Sequence, residues 1–162
     1  MIKLIYSDSF APSLGAGAFI ETADKELNKS ASTVFQCDYS DIKPPKGHVG
    51  VHVVALGSEE SYGPNRNADG FPKAANKKYH ESFEKNSHVF EHHQNKDPLK
   101  KLGDVVKSAY NEEMDRIELF IHADEKKASK HLDRMEKEGS TTFSMACTVP
   151  NDRCSRCNTL RK

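Results

Sequence analysis

Near the end of the chain, the stretch TTFSMACTV (141–149) alternates between apolar and small or polar residues. Phe143, Met145, Cys147 and Val149 make one face of a strand; Thr142, Ser144, Ala146 and Thr148 make the other. Ser144 thus leaves the apolar face with small neighbours beside it, which leaves room for a substrate backbone or an imidazole. A serine needs a base to be a nucleophile, because its free hydroxyl holds almost no alkoxide at neutral pH. Among the eight histidines, the pair His92 and His93 is the best placed. It ends a short strand candidate, SHVFEHH, and meets the polar turn QNKDP. His48 and His52 share one face of a strand, His80 and His131 fall on helices, and His122 ends a strand. Periodicity alone reads Ser144 as the polar side of a solvated strand and the histidine pair as exposed.

The third chemical signal is CSRC, Cys154 to Cys157, which has the spacing of a zinc knuckle. One such pair supplies two of the four ligands that a structural zinc takes. Cys147 is a possible third, although alternation turns it toward the apolar side. Cys37 stands alone. Zinc at Cys154 and Cys157 and unmetallated thiols are both open readings.

These residues must be held by one domain of 162 residues, long enough to bury a core. The 24 basic residues balance the 24 acidic ones, which argues against nucleic acid or an anionic membrane as the main partner. No apolar run has the length of a membrane span, and the first residues lack the pattern of a secretory signal, so the expected setting is intracellular.

HVGVHVVAL reads as a strand with Val49, Val51, Val53 and Ala55 on one face. GSEESYGPNRNADGFP follows as a long loop. A helix is expected from Pro72 to about Lys85, with Ala75, Tyr79 and Phe83 on one stripe. KLGDVVKSAYN and DRIELFIHA form an antiparallel hairpin, with Ile117, Leu119 and Ile121 inward and Arg116, Glu118 and Phe120 on the other side. Asp124 caps a second helix running to about Glu138, with Ala128, Leu132 and Met135 on its apolar stripe. Residues 1–6 fit a short strand. The segment 7–46 is poorly defined, with a flexible or partner-binding stretch and an extra strand both open. The fold class is α+β with a mainly antiparallel sheet or barrel.

Four stretches in consistent order, YGPNRNADGF, HVFEHHQNKDP, KLGDVVKSAYNEEMDRIEL and FSMACTV followed by CSRC, resemble the prohead (head-maturation) proteases of tailed bacteriophages. The likeness spans residues 49–157. It implies an assemblin-like fold, a closed antiparallel β-barrel flanked by helices, as in the related herpesvirus proteases. It implies a serine endopeptidase that cleaves major capsid and scaffold proteins, and itself, inside the prohead in the bacterial cytoplasm. Ser144 would be the nucleophile. His93 would be the base, since the family's histidine directly precedes the turn that reads QNKDP here. Catalysis would require no cofactor. The chain departs from the pattern at Ala146, where the family has glycine, and in its third catalytic member. Asp152 and Asp104 are both candidates for that role, as is a residue on a missing segment. The likeness also implies that a further Cys and His follow the CSRC pair. That leaves three options for the cysteine-rich end, 147–162: a truncated chain, a processed form, or a half-site completed by a second subunit of a homo-oligomer. The alternative to an enzyme is a catalytically inactive capsid-assembly or scaffold-associated protein with the same fold. A small zinc-dependent nucleic-acid binder fits the cysteines but not the charge.

Overall fold

In the computed structural model, residues 2–5, 18–21, 34–65, 68–91, 96–138, 152–154 and 156–161 are described. Two long strands form the hairpin expected from alternation: β5 (Gly103–Asn111) and β6 (Arg116–Asp124), joined antiparallel. On β6, Ile117, Leu119, Ile121 and Ala123 enter the main core. Each large side chain of that kind stabilises by roughly 1.5–3 kcal/mol when removed from water. β3 (His48–Gly57) lies along the other side of β6 and adds Val49, Val51 and Val53 to the same core.

Both pairings carry a register shift, between Val54 and Leu56 on β3 and between Val105 and Lys107 on β5. An irregularity of this kind changes the phase of the alternation. Val53 and Leu56 therefore both reach the main core, as do Val105 and Tyr110.

β1 (Ile2–Ile5) runs parallel to β3 and antiparallel to β2 (Ala18–Glu21). The two-residue β4 (His88–Val89) lines the outer side of β5. The strand order is β2-β1-β3-β6-β5-β4. The expected closed barrel is not what forms. Among the described residues the sheet is open, with β2 at one edge and β4 at the other, and these edges do not pair. Alternation marks which residues share a face, but it carries no information on whether the edges meet. The α+β class stands; the barrel does not.

Helices cover the main core face. α3 (Lys73–Tyr79) and α4 (Glu81–Asn86) follow a short α2 (Glu59–Tyr62), so the expected helix over 72–85 is divided by a turn at His80. Of the expected stripe, Phe83 packs against the core, whereas Tyr79 is 58% exposed. α5 (Ser129–Glu138) buries Leu132 and Met135, joined by Ala128 just before it. Asp124 caps the preceding turn: its carboxylate accepts from the backbone N–H groups of Lys126 (3.0 Å) and Lys127 (2.9 Å).

The opposite face of the sheet is also covered. Phe35 and Ile42, the latter on α1 (Tyr39–Ile42), pack with Phe120, which is 0% exposed. Part of the segment 7–46 is therefore a second, smaller core layer. No helix among the described residues is long and apolar enough to cross a membrane.

Candidate functional site

The stretch that bears the histidine pair is anchored at a sheet edge. β4 pairs with the start of β5, His88 opposite Asp104 and Val89 opposite Gly103. On its other side Gly103 lets β6 come close: a Cβ there would lie 2.4 Å from the carbonyl oxygen of His122, a backbone atom that cannot swing aside. The His88 ring lies edge-on to Phe90, with centroids 6.2 Å apart.

Across this pairing, His88 Nδ1 lies 2.7 Å from Asp104 Oδ1, and Lys101 Nζ donates to the same oxygen at 2.9 Å. Partial burial alone would raise the Asp104 pKa, but the hydrogen bonds from Lys101 and His88 outweigh it and hold the carboxyl below its usual range. A carboxylate on Nδ1 fixes a histidine with its Nε2 lone pair outward, the form that accepts a proton. Both side chains are about half exposed, 50% for His88 and 44% for Asp104.

Glu91, the last described residue before the histidine pair, reaches α5. Its Oε1 lies 3.5 Å from His131 Nε2 and 3.7 Å from Lys130 Nζ. The same helix leads in sequence toward the serine stretch. His92, His93, Ser144, Ala146 and Cys147 themselves lie outside the described residues. Of the two acidic candidates for the third position, Asp104 is held by His88 and Lys101, and Asp152 is exposed on β7 (Asp152–Arg153), in register with Arg161 of β8 (Leu160–Arg161).

A second histidine–carboxylate pair lies deep in the sheet. His52 Nε2 and Glu118 Oε2 are 2.6 Å apart. Glu118 Oε1 also accepts from Arg116 Nε (2.7 Å) and Asn111 Nδ2 (2.9 Å), so both carboxylate oxygens are engaged. Burial would push Glu118 up; the hydrogen bond and charge of His52, with Arg116, reverse this and lower it to about 2. The His52 ring packs edge-on to Phe35 at 5.1 Å. This group is a strut across the sheet.

One serine–histidine hydrogen bond occurs among the described residues, His80 Nδ1 to Ser108 Oγ at 3.1 Å. Ser108 is 6% exposed, and the adjacent carboxylate, Glu84, accepts from the Ser108 backbone rather than orienting the ring. A buried hydroxyl without an oriented base is poorly placed to attack a peptide. The base of the long loop is tied by another network. Ser58 Oγ lies 3.0 Å from the Tyr110 hydroxyl, which donates to Asp115 (3.2 Å), and Asp115 pairs with Lys73. Asn76, buried on α3, donates to Ser58 at 3.2 Å.

The cysteine pair sits in a tight hairpin between β7 and β8. Cys154 N–H donates to the Thr159 carbonyl at 3.0 Å, and Asn158 N–H to the Cys154 carbonyl at 2.8 Å. Asn158 takes a left-handed conformation, φ 58°, which asparagine tolerates better than most residues. Cys157 Sγ lies 3.2 Å from Thr159 Oγ1. Hydrogen bonds from Thr159 and then from the Cys154 thiol lower the Cys157 pKa to about 7. A thiol that ionises near neutrality is a ready metal ligand. The donor set fits zinc as two of four ligands, which would brace the hairpin. No cluster of three or more histidine, cysteine or acidic side chains suited to a metal occurs among the described residues.

Sequence reasoning passed over His88. The signal was present in its spacing: once SHVFEHH is paired with KLGDVV, His88 stands opposite Asp104. Comparison with known protein families, with curated proteins and with solved structures finds no match.

Proposed function

We propose that this chain is a serine endopeptidase that trims scaffold and major capsid proteins inside a phage prohead, and cleaves itself. Ser144 Oγ attacks the scissile carbonyl; His93 takes its proton and returns it to the leaving amine. Backbone N–H groups stabilise the oxyanion. The reading rests on the ordered likeness over residues 49–157. The observation that carries it in the structure is the tie between Glu91 and His131. That contact links the segment entering the histidine pair to the helix that precedes Ser144 in the sequence. His93 rather than His92 is taken as the base because the family's histidine directly precedes the turn that reads QNKDP here.

Coexpression of the chain with the capsid and scaffold proteins encoded alongside it tests the mechanism. Ser144→Ala and His93→Ala are expected to abolish cleavage of those proteins and of the chain itself, a loss of at least about 10³-fold. Equal cleavage by wild type and Ser144→Ala refutes the serine mechanism. Loss in His92→Ala with activity kept in His93→Ala moves the base to His92. Ala146, where the family carries glycine, favours a second reading as an inactive capsid-assembly protein. Absence of cleavage by the wild type, with incorporation into heads, is the outcome that reading requires.

A further inference from the structure

We propose that Cys154 and Cys157 are a thiol–disulfide exchange site that closes to an internal disulfide on meeting a low-molecular-mass disulfide such as oxidised glutathione. Both thiols are free. The Asn158 N–H donates to the Cys154 carbonyl at 2.8 Å, which closes a five-residue turn. Cys154 and Cys157 are its first and fourth residues, and the Cys154 thiol hydrogen-bonds Cys157. A disulfide spans about 4.4–6.8 Å between Cα atoms, a distance that the first and fourth residues of a turn keep. It needs these two sulfurs and no further ligand.

The surroundings suit exchange. β7 and β8 pair over two residues each and form a sheet of their own. Among the described residues this hairpin adds no side chain to either buried cluster, so its turn can change without cost to the core. A hairpin so short is marginal in water, and a bond across its turn staples it. Cys157 is exposed and Cys154 half-buried, which sets the order of events. The Cys157 thiolate attacks one sulfur of the incoming disulfide and expels the other half as a thiolate. Cys154, deprotonated in turn, attacks the Cys157 sulfur of the mixed disulfide and expels the second half. The two cysteines give up two electrons and two protons, and the small disulfide takes them up as two thiols. Excess reduced thiol runs the exchange backward, so the turn is open in a reducing medium and stapled in an oxidising one. Zinc on the same pair would hold both sulfurs and block the exchange. The site uses neither Ser144 nor His93, so it stands apart from the protease reading.

Treatment of the purified chain with oxidised glutathione, followed by alkylation, peptide mapping and metal analysis, tests this. The expected product is a Cys154–Cys157 bond within one chain, with loss of alkylation at both and its return on adding dithiothreitol. Cys154→Ser leaves Cys157 carrying glutathione as a stable mixed disulfide. Cys37→Ser and Cys147→Ser leave the internal bond intact. No bond after treatment, a bond from either cysteine to Cys37 or Cys147, a disulfide between two chains, or a pair that holds zinc and stays reduced overturns the proposal.

Discussion

His52 with Glu118 and His88 with Asp104 are the same chemical pair in opposite surroundings. The Glu118 side chain is 1% exposed and that of Asp104 44%. In the buried pair every carboxylate oxygen is taken and an aromatic ring closes over the imidazole. Such a pair fixes the register of β3 on β6, and its histidine has no access to a substrate. The edge pair holds its imidazole by one nitrogen only and faces water. Burial thus turns an acid–base couple into architecture, while an edge position leaves it available for chemistry.

The comparison can be broken most directly by removing Glu118. Glu118→Ala takes the carboxylate from the buried His52 and from the half-buried Arg116 and is expected to cost about 3–5 kcal/mol in denaturant unfolding. A loss below about 1 kcal/mol would mean that the strut is not structural.

Acid titration of the wild type is the next largest effect. The Glu118 pKa falls from 4.5 in the unfolded chain to about 2 in the folded one. A depressed folded pKa gives stability that is complete above the unfolded value and is lost as pH falls from 4.5 toward about 2. The expected loss is about 3 kcal/mol across that window. It is read from unfolding midpoints at successive pH values, and Glu118→Gln should flatten it. The smallest effect belongs to the edge. Asp104→Asn is expected to change stability by less than about 1 kcal/mol, because exposed pairs gain little from their attraction. A thermal shift as large as that of Glu118→Ala would erase the distinction.

The hairpin of β5 and β6 was legible because alternation is a local signal, and so was the buried stripe of Ala128, Leu132 and Met135. Glu118 and Phe120 were read only as the far side of β6. Nothing in the sequence marks that side as covered, since Val34, Phe35, Cys37 and Ile42 follow no regular period. The break at His80 was hidden because Phe83 keeps helical spacing across it. The open sheet was hidden because edge pairing depends on the path of distant segments. As for the site, Asp104 was singled out without its partner, because recognising His88 requires the β4–β5 register. The cysteine pair was legible from spacing alone; its turn, set by Asn158 and Thr159, was not.

The order of strands also sets how this chain must fold. β5 and β6 are joined by a short turn and can find each other within microseconds. β3 must find β6 across a long intervening chain: His52 and Glu118 are 66 positions apart. Loop-closure entropy is spent before that pairing returns any contact. The step that seals the core is therefore the slow one. A nascent chain holds β3 in waiting until the whole of β6 has left the ribosome.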